Sequence, residues 1–262
     1  MKAIVAAILA VGAVSAPYAA MAGAWTLPAG DTQIITGVTI SSANSSFDNS
    51  GNATPIFFRK YMVSAYAEHG ISDDVTLIFA PEFVKATEQL PGQAPVRAND
   101  FAAQAGARLL LDDSLGVFSV QATYKSAGAF DMSVSAHKEN GSEFEFRALY
   151  GTNFKVFGRD GYADLEVAQR IIGGARPNET PIDLTVGLHV WKDYTVIAQS
   201  FNIIADGDGR PPFRYYRSHK IELSLLQRLW GNVYLESGAF ISPLGQSSLV
   251  ERGADASIWV QF

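Results

Sequence analysis

Apolar and polar residues alternate one by one through most of this chain. Ile182, Leu184, Val186, Leu188 and Val190 alternate with Asp183, Thr185, Gly187, His189 and Trp191, and Phe118, Val120, Ala122 and Tyr124 alternate with Ser119, Gln121, Thr123 and Lys125. A period of two sends successive side chains to opposite faces of a β-strand. Followed from end to end, the pattern predicts strands over 31–42, 57–69, 75–85, 99–111, 115–125, 142–154, 162–172, 182–191, 194–203, 215–229, 232–242 and 253–262. That is twelve strands, within a range of ten to fourteen. Each is near or above the roughly 9–11 residues that a tilted strand needs to cross a bilayer.

The connections alternate in length. Short ones fall at 70–74, 112–114, 158–161, 192–193 and Gly231, and longer ones at 42–56, 86–98, 126–141, 173–181, 205–214 and 243–252. A soluble β-sandwich has the same composition but no reason to keep this rhythm. A transmembrane antiparallel up-and-down β-barrel has tight turns at one end and long loops at the other. In lipid the strands must close, because each unsatisfied backbone group costs several kcal/mol. Aromatics gather beside the tight turns (Phe154, Phe157, Tyr162, Trp191, Tyr194, Trp230 and Tyr234), where amphipathic rings suit a membrane interface.

The chain begins with a basic Met1-Lys2, an apolar run from Ala3 to Ala16, Pro17, and the small residues Ala20-Met21-Ala22. This is the layout of a secretory signal peptide over 1–22, cleaved after about Ala22, leaving one domain over 23–262. The net charge of −6 argues against nucleic acid as a partner. With no cysteine in an exported chain, stability rests on the strand ladder and on packing rather than on disulfides.

The strand faces assign the lumen. Inward cations are Lys60, Arg108, Lys125, Arg147, Arg170, Lys220 and Arg228; inward anions are Glu68, Glu82, Glu145, Asp164, Glu166, Asp183, Glu222, Glu236 and Asp255. Two readings fit them: a salt-bridge lattice that satisfies enclosed charges, and a constriction that orients polar solutes or filters ions. The mixed signs predict weak ion selectivity. Tyr66, Tyr234, Phe240 and Trp259 are bulky inward candidates that would either stack on solutes or fill space. Twelve strands lie between barrels packed solid with side chains and barrels with wide aqueous pores, so both an open and a plugged lumen fit the sequence.

Catalytic signals are sparse. The histidines are His69, His137, His189 and His219, and none stands in a His-x-Ser segment. Only His219, near Arg217 and Lys220, invites suspicion as a base. Asp206-Gly-Asp-Gly209 lacks the ligand series of a calcium loop. No catalytic residues, cofactor or metal are expected.

The last strand ends on Ile258, Val260 and Phe262, all on one face. A chain that ends this way behind an export leader resembles the Gram-negative outer-membrane β-barrels, whose closing strand typically ends in Phe. Two shorter stretches add to this. Gly23-Ala-Trp-Thr-Leu-Pro-Ala-Gly30 resembles the start of XagA-like outer-membrane proteins, which are found near exopolysaccharide genes. Tyr66-Ala-Glu-His-Gly-Ile-Ser-Asp-Asp-Val-Thr-Leu77 resembles a hairpin of small barrels of the meta-pathway phenol-degradation transporter type. In that hairpin Gly70 is expected to permit the turn, with Ser72 and Asp73 bonding nearby backbone.

These resemblances imply an outer-membrane barrel whose partners are lipid, the barrel-assembly machinery and a small solute or polysaccharide. The expected function is a passive, porin-like channel for small polar or aromatic solutes. The alternatives are a structural component tied to exopolysaccharide export or attachment, and a lipid-acting barrel enzyme.

Overall fold

The computed structural model describes residues 23–126, 141–207, 209–210 and 215–262. The expected leader, His137 and Asp208 lie outside them. Twelve strands form: β1 (Thr32–Phe47), β2 (Ala53–Ser72), β3 (Val75–Gln89), β4 (Val96–Asp112), β5 (Val117–Lys125), β6 (Glu143–Val156), β7 (Arg159–Ile172), β8 (Glu179–Trp191), β9 (Tyr194–Ala205), β10 (Arg217–Trp230), β11 (Val233–Gln246) and β12 (Arg252–Gln261). Each pairs with its successor antiparallel, and β12 returns to β1, so the sheet is a closed all-β barrel.

The seam runs from Gln33↔Gln261 to Ser42↔Arg252. The terminal residue finishes it: Thr32 donates its N–H to the Phe262 carbonyl (2.7 Å) and accepts from Phe262 in return (3.0 Å). Closure leaves no unpaired edge, which an open sheet in an apolar solvent could not tolerate.

Several strands run past the alternating segments, most of them at the end that carries the long loops, while β2, β6 and β7 also gain two or three residues at the tight turns. β1 continues to Phe47, β2 begins at Ala53, β3 reaches Gln89, β4 begins at Val96 and β11 reaches Gln246. Pairing continues there between polar residues such as Ser46↔Thr54 and Thr87↔Arg97. Above the apolar band neither face needs to be greasy, so the polarity signal fades while the hydrogen-bond ladder persists.

The outside of the wall is apolar. Ile40, Phe79, Phe101, Phe146, Leu223 and Ile241 are each half or more exposed. Such residues ring the whole barrel, far beyond the few hundred Å² of contiguous apolar surface usual on a soluble monomer. Phe157 (98%), Trp191 (70%) and Trp230 (67%) stand outward at the tight turns. Tyr162 and Tyr234 do not join them. Both are buried in the lumen, because they share the inward register of Asp164 and Glu236.

Two apolar clusters occupy the inside. Ala43, Ile56, Phe58, Val84, Ala86, Ala98 and Leu249 pack near the loop end. Ile197, Leu226, Tyr234 and Trp259 pack near the turn end, with Ile35 against them.

Candidate functional site

The residues before β1 enter the barrel at the turn end and are fastened to its inner wall. Ala24 donates its N–H to Asp164 Oδ2 (2.7 Å), and its carbonyl accepts from Ser119 Oγ (2.8 Å). The Trp25 carbonyl accepts from Arg108 Nη1 (2.8 Å), and the indole packs edge-on against Tyr162 with centroids 6.1 Å apart. Leu27 N–H reaches Thr76 Oγ1 (2.8 Å), Thr26 Oγ1 donates to the Asp73 carbonyl (2.7 Å), and Ala29 N–H reaches Asp73 Oδ1 (3.0 Å).

Gly70 has no side chain for this reason. A Cβ there would lie 2.1 Å from the Pro28 carbonyl oxygen. The turn itself comes later, at Asp73-Asp74, since β2 runs through Gly70 to Ser72. Gly70 therefore serves close approach of the segment and not the turn geometry expected of it. The two stretches that carry the family resemblances are thus two sides of one contact, which their separation in sequence conceals.

Arg108 is the hub of this contact. It is 2% exposed and pairs with Glu68 at 2.9 Å, with Gln121 Oε1 at 3.0 Å and Tyr66 Oη at 3.2 Å completing its shell. A buried pair of this kind adds little net stability, but removal of one partner strands the other charge.

A second charged array climbs the β6–β8 wall. Arg147 meets Glu145 at 2.9 Å and Asp183 at 2.8 Å, and it also bonds Glu166. Arg170 meets Glu145 at 2.9 Å and Glu179 at 2.6 Å. Arg176 meets Glu143 at 2.9 Å and Glu179 at 2.8 Å, and Tyr216 also donates to Glu179. Forked guanidinium groups suit this bridging, because each can serve two or three carboxylates at once.

The opposite wall, β10 to β12, is acidic and less densely paired. Glu236 accepts from Ser224 Oγ (2.6 Å) and Trp259 Nε1 (3.1 Å). Glu222 and Asp255 border a mid-height cavity of about 410 Å³, together with Lys60, Tyr66, Arg170, Asp183, Phe201, Lys220 and Phe240. The Lys220 ammonium sits 4.6 Å from the Phe240 ring centroid. Lys60 pairs with Glu251 at 2.8 Å. The cavity therefore presents aromatic faces and charges of both signs to whatever enters it.

Nearly all the inward residues expected from the face pattern line the lumen. Glu82 and Lys125 pair over β4 on one wall at 2.8 Å. Arg228 keeps the inward register but stands exposed at the turn-end rim, donating to the Gly231 carbonyl (2.7 Å) beside Tyr234. Ile258, Val260 and Phe262 share the outward side of the seam. The face pattern misses Arg176 and Glu251, which lie in connections, and Glu88, Asp100, Glu143 and Glu179, which stand on strands. Five of these six are acids, so the lining tilts negative where a near balance was expected.

The three histidines among the described residues are tied to neutral partners. His69 bonds Thr32 (2.9 Å), His189 bonds Thr195 (2.7 Å), and His219 Nδ1 bonds Asn202 Oδ1. Ser200, two residues from Asn202, receives its hydrogen bond from the Asn202 amide (3.1 Å).

No protein-family model matches the chain, and no curated protein matches it in sequence. Solved structures do. The COG4313 outer membrane channel from Pseudomonas putida F1 superposes with a TM-score of 0.70 at 12% identity, over 91% of this chain and 98% of that one. The translocator domain of the autotransporter NalP from Neisseria meningitidis gives 0.56 at 11% identity, over 90% of each chain. The β domain of the Bordetella autotransporter BrkA gives 0.54 at 11%, over 89% of this chain and all of that one. At these identities the likeness establishes the fold, a closed antiparallel β-barrel of the kind that these outer-membrane proteins have.

Proposed function

We propose that this chain is an outer-membrane channel of a Gram-negative bacterium, a passive porin-like transporter for small polar or aromatic solutes that favours cations. One observation carries the proposal: a wall greasy outside encloses a charged, aromatic-lined cavity of about 410 Å³. That size suits a compact solute. Phe201, Phe240 and Tyr66 offer ring faces, while Glu222 and Asp255 offer negative charge to a cationic group. The fold likeness to an outer membrane channel supports the reading.

The route to the membrane is part of it. The leader over 1–22 is removed after Ala22, and the assembly machinery reads the closing strand, whose Ile258, Val260 and Phe262 point outward. The segment 23–30 narrows the turn end, so the resting pore is gated from what becomes the periplasmic side. The XagA-like resemblance lies in this same segment, and it supports a shared way of filling the lower lumen. A role in polysaccharide export rests on that octapeptide alone. The transporter-type hairpin supports the channel reading, because it is the surface on which the octapeptide docks.

Reconstitution in planar bilayers tests the channel. Under a potassium chloride gradient the reversal potential is expected on the cation-selective side, and Glu222→Gln with Asp255→Asn is expected to move it toward zero. A detergent-folded barrel, its gel band shifted by boiling, that passes no current under any salt or voltage would overturn the channel reading.

A further inference from the structure

We infer that the α-ammonium group created by cleavage before Gly23 is the counter-ion of the buried Asp164 carboxylate, so that removal of the leader itself locks the lumen segment in place. The inference rests on the proposed export route, and on four observations. First, Asp164 is 2% exposed, yet among the described residues no lysine or arginine forms an ion pair with it. Arg108 is committed to Glu68, and Arg147 to Glu145, Glu166 and Asp183. Second, Glu166 follows on the same inward face, within side-chain reach of Asp164, and adds a like charge. A carboxylate in that setting calls for a cation.

Third, the Gly23 backbone lies directly against this carboxyl group. A Cβ on Gly23 would fall 2.6 Å from Cγ and from Oδ2, and 2.8 Å from Oδ1. Fourth, the neighbouring residue is held at this place by Ala24 N–H to Asp164 (2.7 Å) and, independently of that carboxyl group, by Ser119 Oγ to the Ala24 carbonyl (2.8 Å). Before cleavage the Gly23 nitrogen is a neutral amide with one N–H. Hydrolysis of the Ala22–Gly23 bond adds one water: the leader leaves with the Ala22 carboxylate, and the Gly23 amine takes up a proton. The product is a three-donor cation at the place where the buried acid lacks one. Glycine is needed there, because any side chain would occupy the carboxylate's space.

The experiment uses the mature protein, extracted from membranes in detergent. Intact mass first establishes whether the chain starts at Gly23. The folded barrel is then treated with N-hydroxysuccinimidyl acetate, and acetylation of the Gly23 amine is followed by peptide mass spectrometry, with the exposed Lys155 as internal reference. In the wild type Gly23 is expected to be protected. Asp164→Asn keeps the shape and the acceptor for Ala24 N–H but removes the charge, and is expected to speed acetylation about tenfold, equivalent to about 1.4 kcal/mol of pairing. An alanine inserted between Ala22 and Gly23 leaves Asp164 intact, moves the ammonium one residue away, and is expected to give the same acceleration. Unchanged acetylation in either variant, in a barrel whose band still shifts on boiling, overturns the inference. A mature mass that starts elsewhere also overturns it, by removing the ammonium from the site, while the channel reading stands or falls on conductance.

Discussion

Arg108→Met separates the two tasks of a heavily bonded lumen side chain. The guanidinium holds Glu68 at 2.9 Å and the Trp25 carbonyl at 2.8 Å. Loss of the first contact strands a buried carboxylate and is expected to destabilise the folded barrel by about 3–5 kcal/mol. Loss of the second falls on the lumen segment alone, since Trp25 lies outside the strand ladder. A hydrogen bond from a charged donor is worth about 1.5–3 kcal/mol, so the ratio of released to docked segment should rise roughly 10- to 150-fold. The assay is single-channel recording beside a gel-shift melting curve. Arg108→Met should open more often and lose its heat resistance at a lower temperature. Adding Glu68→Gln removes the stranded charge, so the double variant should regain heat resistance and stay open. A double variant that closes like the wild type, or a single variant with unaltered open probability, would refute the assignment of 23–30 as the gate.

Other perturbations isolate other parts of the reasoning. Gly70→Ala places a methyl group against the Pro28 carbonyl oxygen, 2.1 Å away, and should expel the segment while the barrel still assembles; higher conductance with an ordinary gel shift is the expected result. Trp259→Ala empties the turn-end cluster of Ile197, Leu226 and Tyr234 and should lower stability by about 3–5 kcal/mol, read as an earlier loss of the folded band on heating, with Trp259→Phe losing less. Asp48, in the loop between β1 and β2, accepts backbone N–H groups from Asn52 (2.9 Å) and Ser50 (2.8 Å), which hold its carboxyl below the usual carboxylate range. A lowered value means that the loop's contribution is complete above the ordinary carboxylate range and fades as pH falls from there through the depressed value; carboxyl NMR titration should find Asp48 titrating below an aspartate in an unstructured peptide.

Much of the site is legible in the order of residues. Lys60, Glu82, Arg147, Asp183 and Asp255 reach the lumen because strand parity, a purely local property, decides which way each side chain points. Parity also corrects one expectation: nearness to a turn suggests the membrane interface for Tyr162, yet its register sends it inward. Arg176 and Glu251 escape the pattern because they lie in connections, where no period exists to read. The negative tilt of the lining comes mainly from Glu88, Asp100, Glu143 and Glu179, which stand near the loop ends of their strands.

What the chain's pattern determined alone was the number of strands, their two faces, the closing seam and the grease outside, since alternation and turn chemistry act over a few residues. The tertiary structure decided how the lower lumen is filled. Ala24 meets Asp164 across 140 positions of sequence, and Trp25 meets Arg108 across 83. Such contacts arise only when closure carries distant strands around a common axis, and no local period encodes which inward side chain will face the returning end of the chain.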